Sequence, residues 1–93
     1  MATMIPSDRP RLSPHYLFRY EASQQAHILL YPEGLIKLNP AAAEILLRCN
    51  GERTADDIIA DLDAAFPGNH EAIVRDTRAF LALALKNGWL RVV

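Results

Sequence analysis

The chain has 93 residues, of which 51% are hydrophobic and 23% charged, with a formal net charge of -1. That balance is ordinary for one small globular domain, and it excludes bulk disorder and the strongly basic footprint of a general polyanion binder. The single cysteine, Cys49, excludes an intrachain disulfide and agrees with a reducing compartment.

Residues 1–14 hold Pro6, Pro10 and Pro14 among Ser, Asp and Arg. Proline removes backbone donors and disfavours helix in the residue before it. This stretch therefore reads as a flexible N-terminal arm, pinned late by Leu12, ahead of a single domain over 15–93. The opening MATMIPSDRPR lacks the apolar core of a signal peptide, and no window approaches the ~20 apolar residues of a membrane span. A cytoplasmic protein with no membrane partner is expected.

Tyr16 to Glu21 alternates, with Tyr16, Phe18 and Tyr20 on one face, which is a strand signal. Ala22 to Gln25 is a polar turn, and Ala26 to Tyr31 is apolar on both faces, as a central strand would be. Tyr31-Pro32-Glu33-Gly34 places proline at the second turn position with glycine available for a positive φ. Leu35 to Leu38 is a short third strand, and a meander is the simplest assembly of the three.

Asn39-Pro40 opens a helix, since Asn caps free amides and Pro is tolerated in the first turn. Ala42, Ile45, Leu46 and Cys49 share its apolar face, and Asn50-Gly51 is the expected stop. Thr54 to Asp57 is a capping-box start for a second helix buried through Ile58, Ile59, Leu62 and Phe66. Pro67-Gly68 breaks the chain and Asn69 is placed to cap a third helix. Its stripe is Ile73, Thr77, Phe80, Leu81, Ala84 and Leu85, ending at Asn87-Gly88. The apolar tail from Trp89 to Val93 packs on the bundle or adds to a sheet edge. The fold class is α+β, winged helix-turn-helix-like: a three-stranded antiparallel sheet followed by a three-helix bundle.

Catalytic constellations are missing. His15, His27 and His70 lie apart and without i+4 partners, and there is no GxGxxG, GxxxxGK[ST] or GxSxG. Cys49 falls on the buried helix face, where a thiolate is disfavoured, so Cys49→Ser is expected to leave function intact. Asp56, Asp57, Asp61 and Asp63 serve the helix start and its solvated side. No enzyme, metal or cofactor is expected. A nucleic-acid-binding or regulatory winged helix is the alternative, but the second helix carries those four aspartates and no Lys or Arg.

Binding surface remains. The third strand, as an edge, presents unpaired amides and carbonyls that accept an extended peptide by β-augmentation. If the third helix packs beside it, the two form an apolar groove in which Arg75 and Arg78 grip an acidic peptide group. The competing reading places Leu83 in the core and leaves both arginines as solvated helix face. The same edge can also pair with a second copy to give a homodimer.

LLYPEGLIKLNPAAAEILLRCNGERT, with its Cys-x-Gly-x-Arg-Thr helix junction and a Gly88-Trp89 ending, resembles the PqqD family of pyrroloquinoline quinone biosynthesis, a group of RiPP recognition elements. The likeness runs from Pro10 to Leu90. It implies a winged helix-turn-helix and a non-catalytic chaperone that binds the ribosomal precursor PqqA and delivers it to the radical SAM enzyme PqqE. It also implies a peptide groove with Leu35, Ile36, Lys37 and Leu38 on one side and Arg75, Arg78, Phe80 and Leu81 on the other. On that reading, Leu38→Asp abolishes precursor binding while the fold at least partly survives. Two positions depart from the pattern: Asn50 stands where an acidic residue is expected, and Thr77 where an aliphatic one is.

Overall fold

Strand β1 (Pro10–Leu12) lies where the arm was expected, and it pairs antiparallel with β5 (Leu90–Val92), Leu12 opposite Leu90. The structure, a computed structural model, describes residues 4–93; the arm's first residues, 1–3, lie outside the described residues. Pro10, fully buried, is tolerated in this ladder because the Val93 amide donates to the Arg9 carbonyl at 2.9 Å, which leaves Pro10 at a position that exchanges no backbone hydrogen bond with β5. The pairing joins the two ends of the domain, which local sequence patterns do not encode. Gly51 seals the junction: its N–H donates to the Pro10 carbonyl at 2.9 Å, at φ +81°, and a Cβ there would meet Arg11 Cβ at 3.4 Å.

The sheet is the expected meander, β2 (Leu17–Glu21), β3 (Ala26–Tyr31) and β4 (Gly34–Lys37), in the order β2-β3-β4. The β3–β4 hairpin closes through Pro32-Glu33 with Tyr31 opposite Gly34, and Gly34 does not use the positive φ open to it. Phe18, Leu29 and Ile36 form one row across the three strands, facing the helices. Leu17, Leu30 and Leu35 form a row on the opposite face, where Leu17 and Leu35 are exposed.

The helices are α1 (Pro40–Leu46), α2 (Ala55–Ala65) and α3 (His70–Lys86). Asn39 caps α1 as expected, accepting from the Ala42 amide at 2.8 Å. The helix then stops short of Asn50-Gly51. The Arg48 and Cys49 amides bond to the carbonyls three residues back, at 3.1 and 3.0 Å, and these tighter turns carry Asn50 out to bridge Arg11. Arg48 ties α1 to α2, its Nε donating to Asp61 at 2.6 Å and its Nη1 to Glu44 at 3.0 Å. Two expectations fail at the α2–α3 turn. Phe66 remains 42% exposed because the chain leaves helical geometry there, at φ -132°. Asn69 makes no side-chain cap; its Nδ2 donates to the Phe66 and Pro67 carbonyls instead. No helix among the described residues is long and apolar enough to cross a membrane.

The α2 capping box is complete: the Asp57 amide donates to Thr54 Oγ1 at 3.2 Å and the Thr54 amide to Asp57 Oδ2 at 3.0 Å. Removing the cap by Thr54→Ala is expected to cost about 1 kcal/mol in a urea titration. The Thr54 amide also holds the Asp57 carboxyl below its ordinary pKa. A depressed folded-state pKa contributes stability above the unfolded value, and that stability is lost as pH falls through the folded value. Between roughly pH 5 and pH 2 the parent chain is therefore expected to lose more stability than Asp57→Asn. Parallel losses in repeated urea titrations would contradict this.

Candidate functional site

Because β4 pairs only with β3 among the described residues, its far side is an open sheet edge. Antiparallel pairs alternate between residues that exchange both backbone hydrogen bonds and residues that exchange none. The Leu38 amide donates to the His27 carbonyl at 3.0 Å, so the groups of Leu38, and of Ile36 and Gly34 by the two-residue repeat, turn toward β3. The amides and carbonyls of Leu35 and Lys37 consequently point outward from the edge.

The other open edge is β2, where Arg19 and Glu21 form an ion pair at 3.2 Å. Charged side chains along a strand blunt an edge against pairing. β4 carries a single charge, Lys37, with no ion-pair partner among the described residues.

Past the C-terminal end of β4 the chain turns into α1, and a cavity of about 310 Å³ lies between the three helices. Pro40, Ala41 and Ile45 of α1, Leu62 and Phe66 from the α2 side, and Ile73 and Thr77 of α3 give it largely apolar walls. Glu44, Asn69 and Asp76 also line it. Pro40 follows Lys37 closely enough that no more than about 11 Å of chain separates them. The Thr77 side chain is wholly buried, and its hydroxyl has no hydrogen-bond partner among the described residues.

The eight residues singled out from the sequence are not gathered on one surface. Leu35 and Lys37 are exposed on the outer sheet face, while Ile36 and Leu38 turn inward, Leu38 to 6% exposure. Phe80 and Leu81 belong to the core at 8% and 3% exposure, with the Phe80 ring 6.3 Å from that of Trp89. Arg78 reaches α2, pairing with Asp56 at 3.3 Å, and Arg75 pairs with its neighbour Asp76 at 3.2 Å. Both arginines are solvated helix face. Leu83 is not core; it is 48% exposed and follows Ile73, Asp76 and Phe80 along one side of α3 by steps of three and four. The cavity residues Pro40, Ala41, Phe66, Ile73 and Asp76 were missed. The one sequence signal for them was Thr77, a hydroxyl in an otherwise apolar stripe.

No reactive nucleophile emerges from Cys49. Burial pushes its thiol up to about 12, against a lesser opposing effect of Arg53, and its Sγ lies 3.3 Å from the Ile45 carbonyl. His27 stacks on Phe18 at 5.1 Å, and His70 lies 2.7 Å from Asp63 across the α2–α3 turn.

The family model described as coenzyme PQQ synthesis protein D (PqqD) matches residues 26–90. The chain is 42% identical over 90 residues to the PqqA binding protein of Stutzerimonas stutzeri, covering 97% of this chain and 92% of that relative. With the PqqA binding protein of Methylococcus capsulatus it shares 38% identity over 91 residues, covering 98% and 96%. Its fold is similar to the solution structure of the PqqD part of Methylobacterium extorquens PqqCD, described as a functional, stand-alone RiPP recognition element. The TM-score is 0.78 at 26% identity, covering 96% of this chain and 95% of that one.

Proposed function

Because this chain belongs to the PqqD family, we propose that it is a non-catalytic chaperone for the ribosomal precursor peptide PqqA, presenting it to the radical SAM enzyme PqqE. The carrying observation is the β4 edge, where Leu35 and Lys37 turn two amides and two carbonyls outward. A peptide segment laid along this edge gains backbone hydrogen bonds as an added strand, while its side chains meet Leu35 on one face and the α1–α3 side on the other. The family name of the relatives supports the identity of the peptide, and the buried, unreactive Cys49 supports a binding rather than a chemical role.

In this reading the groove side chains differ from those first singled out. Leu35 and Lys37 act through their backbones, Leu38, Phe80 and Leu81 support the edge from the core, and the α3 side facing the peptide is the row Ile73, Asp76 and Leu83. Arg75 and Arg78 lie at its periphery. A second copy pairing on the same edge would compete with the peptide for the same hydrogen bonds.

The test is an amide NMR titration of the labelled protein with a synthetic PqqA-like peptide. Saturable shifts are expected on Leu35, Ile36 and Lys37 and on α3 from Ile73 to Leu83. Shifts confined to the β2 edge, or none with the radical enzyme also present, would overturn the proposal.

A further inference from the structure

We propose that the β4 edge selects a three-residue pattern in the peptide it binds: an apolar side chain beside Leu35, an apolar one beside Ile36 and a carboxylate beside Lys37. The inference deepens the peptide-binding reading and rests on it. Its basis is the row structure of the sheet. Leu17, Leu30 and Leu35 stand abreast on the outer face, and Arg19, Ile28 and Lys37 form the next row on that face. Phe18, Leu29 and Ile36 form the row between them, on the face toward the helices. A strand added to β4 places one side chain at the end of each row, whichever way it runs, because residues abreast on neighbouring strands share a face.

The three row ends differ in what they lack. Leu35 is 51% exposed at the end of a leucine row, so an apolar neighbour removes water from it. Ile36 is half-buried against the core, and a charge beside it would lose water without gaining a partner. In the third row the two cations are not equivalent. Arg19 is paired with Glu21 at 3.2 Å, whereas Lys37 has no ion-pair partner among the described residues. Glu44, which lines a hollow together with Lys37, is held by Arg48 at 3.0 Å. A carboxylate laid opposite Lys37 therefore meets an unengaged ammonium group. A lysine or arginine there meets a like charge, and like charges directly opposed destabilise a strand pair. The backbone of the edge supplies affinity, and these side chains fix which segment of a peptide settles on it and in which register. The pattern reads apolar, apolar, acidic along a parallel added strand, and acidic, apolar, apolar along an antiparallel one.

The test is a charge scan. Glu, Gln and Lys are placed in turn at each position of the synthetic PqqA-like peptide, and each version is titrated into the labelled parent chain, Lys37→Glu and Lys37→Gln. At one position the parent is expected to bind Glu at least about threefold more tightly than Lys. At that same position Lys37→Glu is expected to reverse the preference and Lys37→Gln to erase it, with native spectra throughout because Lys37 is exposed. The two peptide residues on one side of that position are expected to bind at least about fivefold more weakly as Asp than as Leu. With shifts still on β4, a preference that ignores the Lys37 variants, or none at any position, would overturn the proposal. Lys37 would then only guard the edge, and the β4 reading would stand. Shifts absent from β4 would overturn both.

Discussion

Leu38→Asp is expected to unfold the domain, not to remove peptide binding from an otherwise native protein. Leu38 is 6% exposed and belongs to the core with Leu29, Ile45 and Leu62, at the point where β4 hands the chain to α1. Truncating such a side chain alone costs about 2–5 kcal/mol, and burying a carboxylate with no partner adds several more. Small domains hold only about 5–15 kcal/mol in total, so the sum removes most or all of the stability at neutral pH. The measurement is a urea titration with an amide spectrum in water: collapse of dispersion and loss of a cooperative transition are expected. Leu35→Asp is the matched control, since Leu35 is 51% exposed on the outer sheet face and its charge remains hydrated. A native Leu38→Asp spectrum with only peptide affinity lost would restore the expectation drawn from sequence.

That reversal shows where sequence reading succeeds and where it stops. Alternation placed β2, and an apolar run bounded by turn residues placed β3 and β4, each within about a residue of its observed bounds. Asn39 and Thr54 were legible as caps because a cap is satisfied locally, by amides three residues on. Asn69 carried the same signal and failed, since the Pro67-Gly68 turn offered carbonyls to its amide first. The β1–β5 pair was legible only in its parts, Leu12 as a pin for the arm and the tail as a strand added to a sheet edge. That the two pair with each other was not, because they stand at opposite ends of the chain and three residues in each carry no periodicity to read.

The site was half legible. That the third strand ends a meander follows from order alone, and the open edge with it. Which side of α3 faces that edge depends on how the helix is rotated in the bundle. Arg75 and Arg78 were placed in the groove by their charge and by the family resemblance; in the structure Arg78 pairs with Asp56 of α2, and Ile73, Asp76 and Leu83 lie along a different side of the helix. The same limit applies to Leu38. A four-residue apolar strand does not announce which of its members face inward until its hydrogen-bond register is known.

That register yields the second large expectation. Lys37→Pro is expected to weaken binding of a PqqA-like peptide by at least about tenfold while changing stability by no more than about 1 kcal/mol. Lys37 turns its amide away from β3, so proline there removes no bond of the native sheet, and its ring stands where the incoming strand must approach. Its φ suits an extended edge, and the residue it restricts, Ile36, is already in a strand. Ile36→Pro makes the opposite case: its amide belongs to the β3–β4 ladder, so the same residue type one position earlier breaks the hairpin and lowers stability. Lys37→Ala separates the backbone from the side chain, and it is expected to bind within about threefold of the parent, as loss of a solvated charge allows. Calorimetric titration of the three variants reads all of this directly. Equal losses in Lys37→Ala and Lys37→Pro would mean that the ammonium group, not the strand edge, holds the peptide. Undiminished binding in Lys37→Pro would move the peptide off β4 altogether.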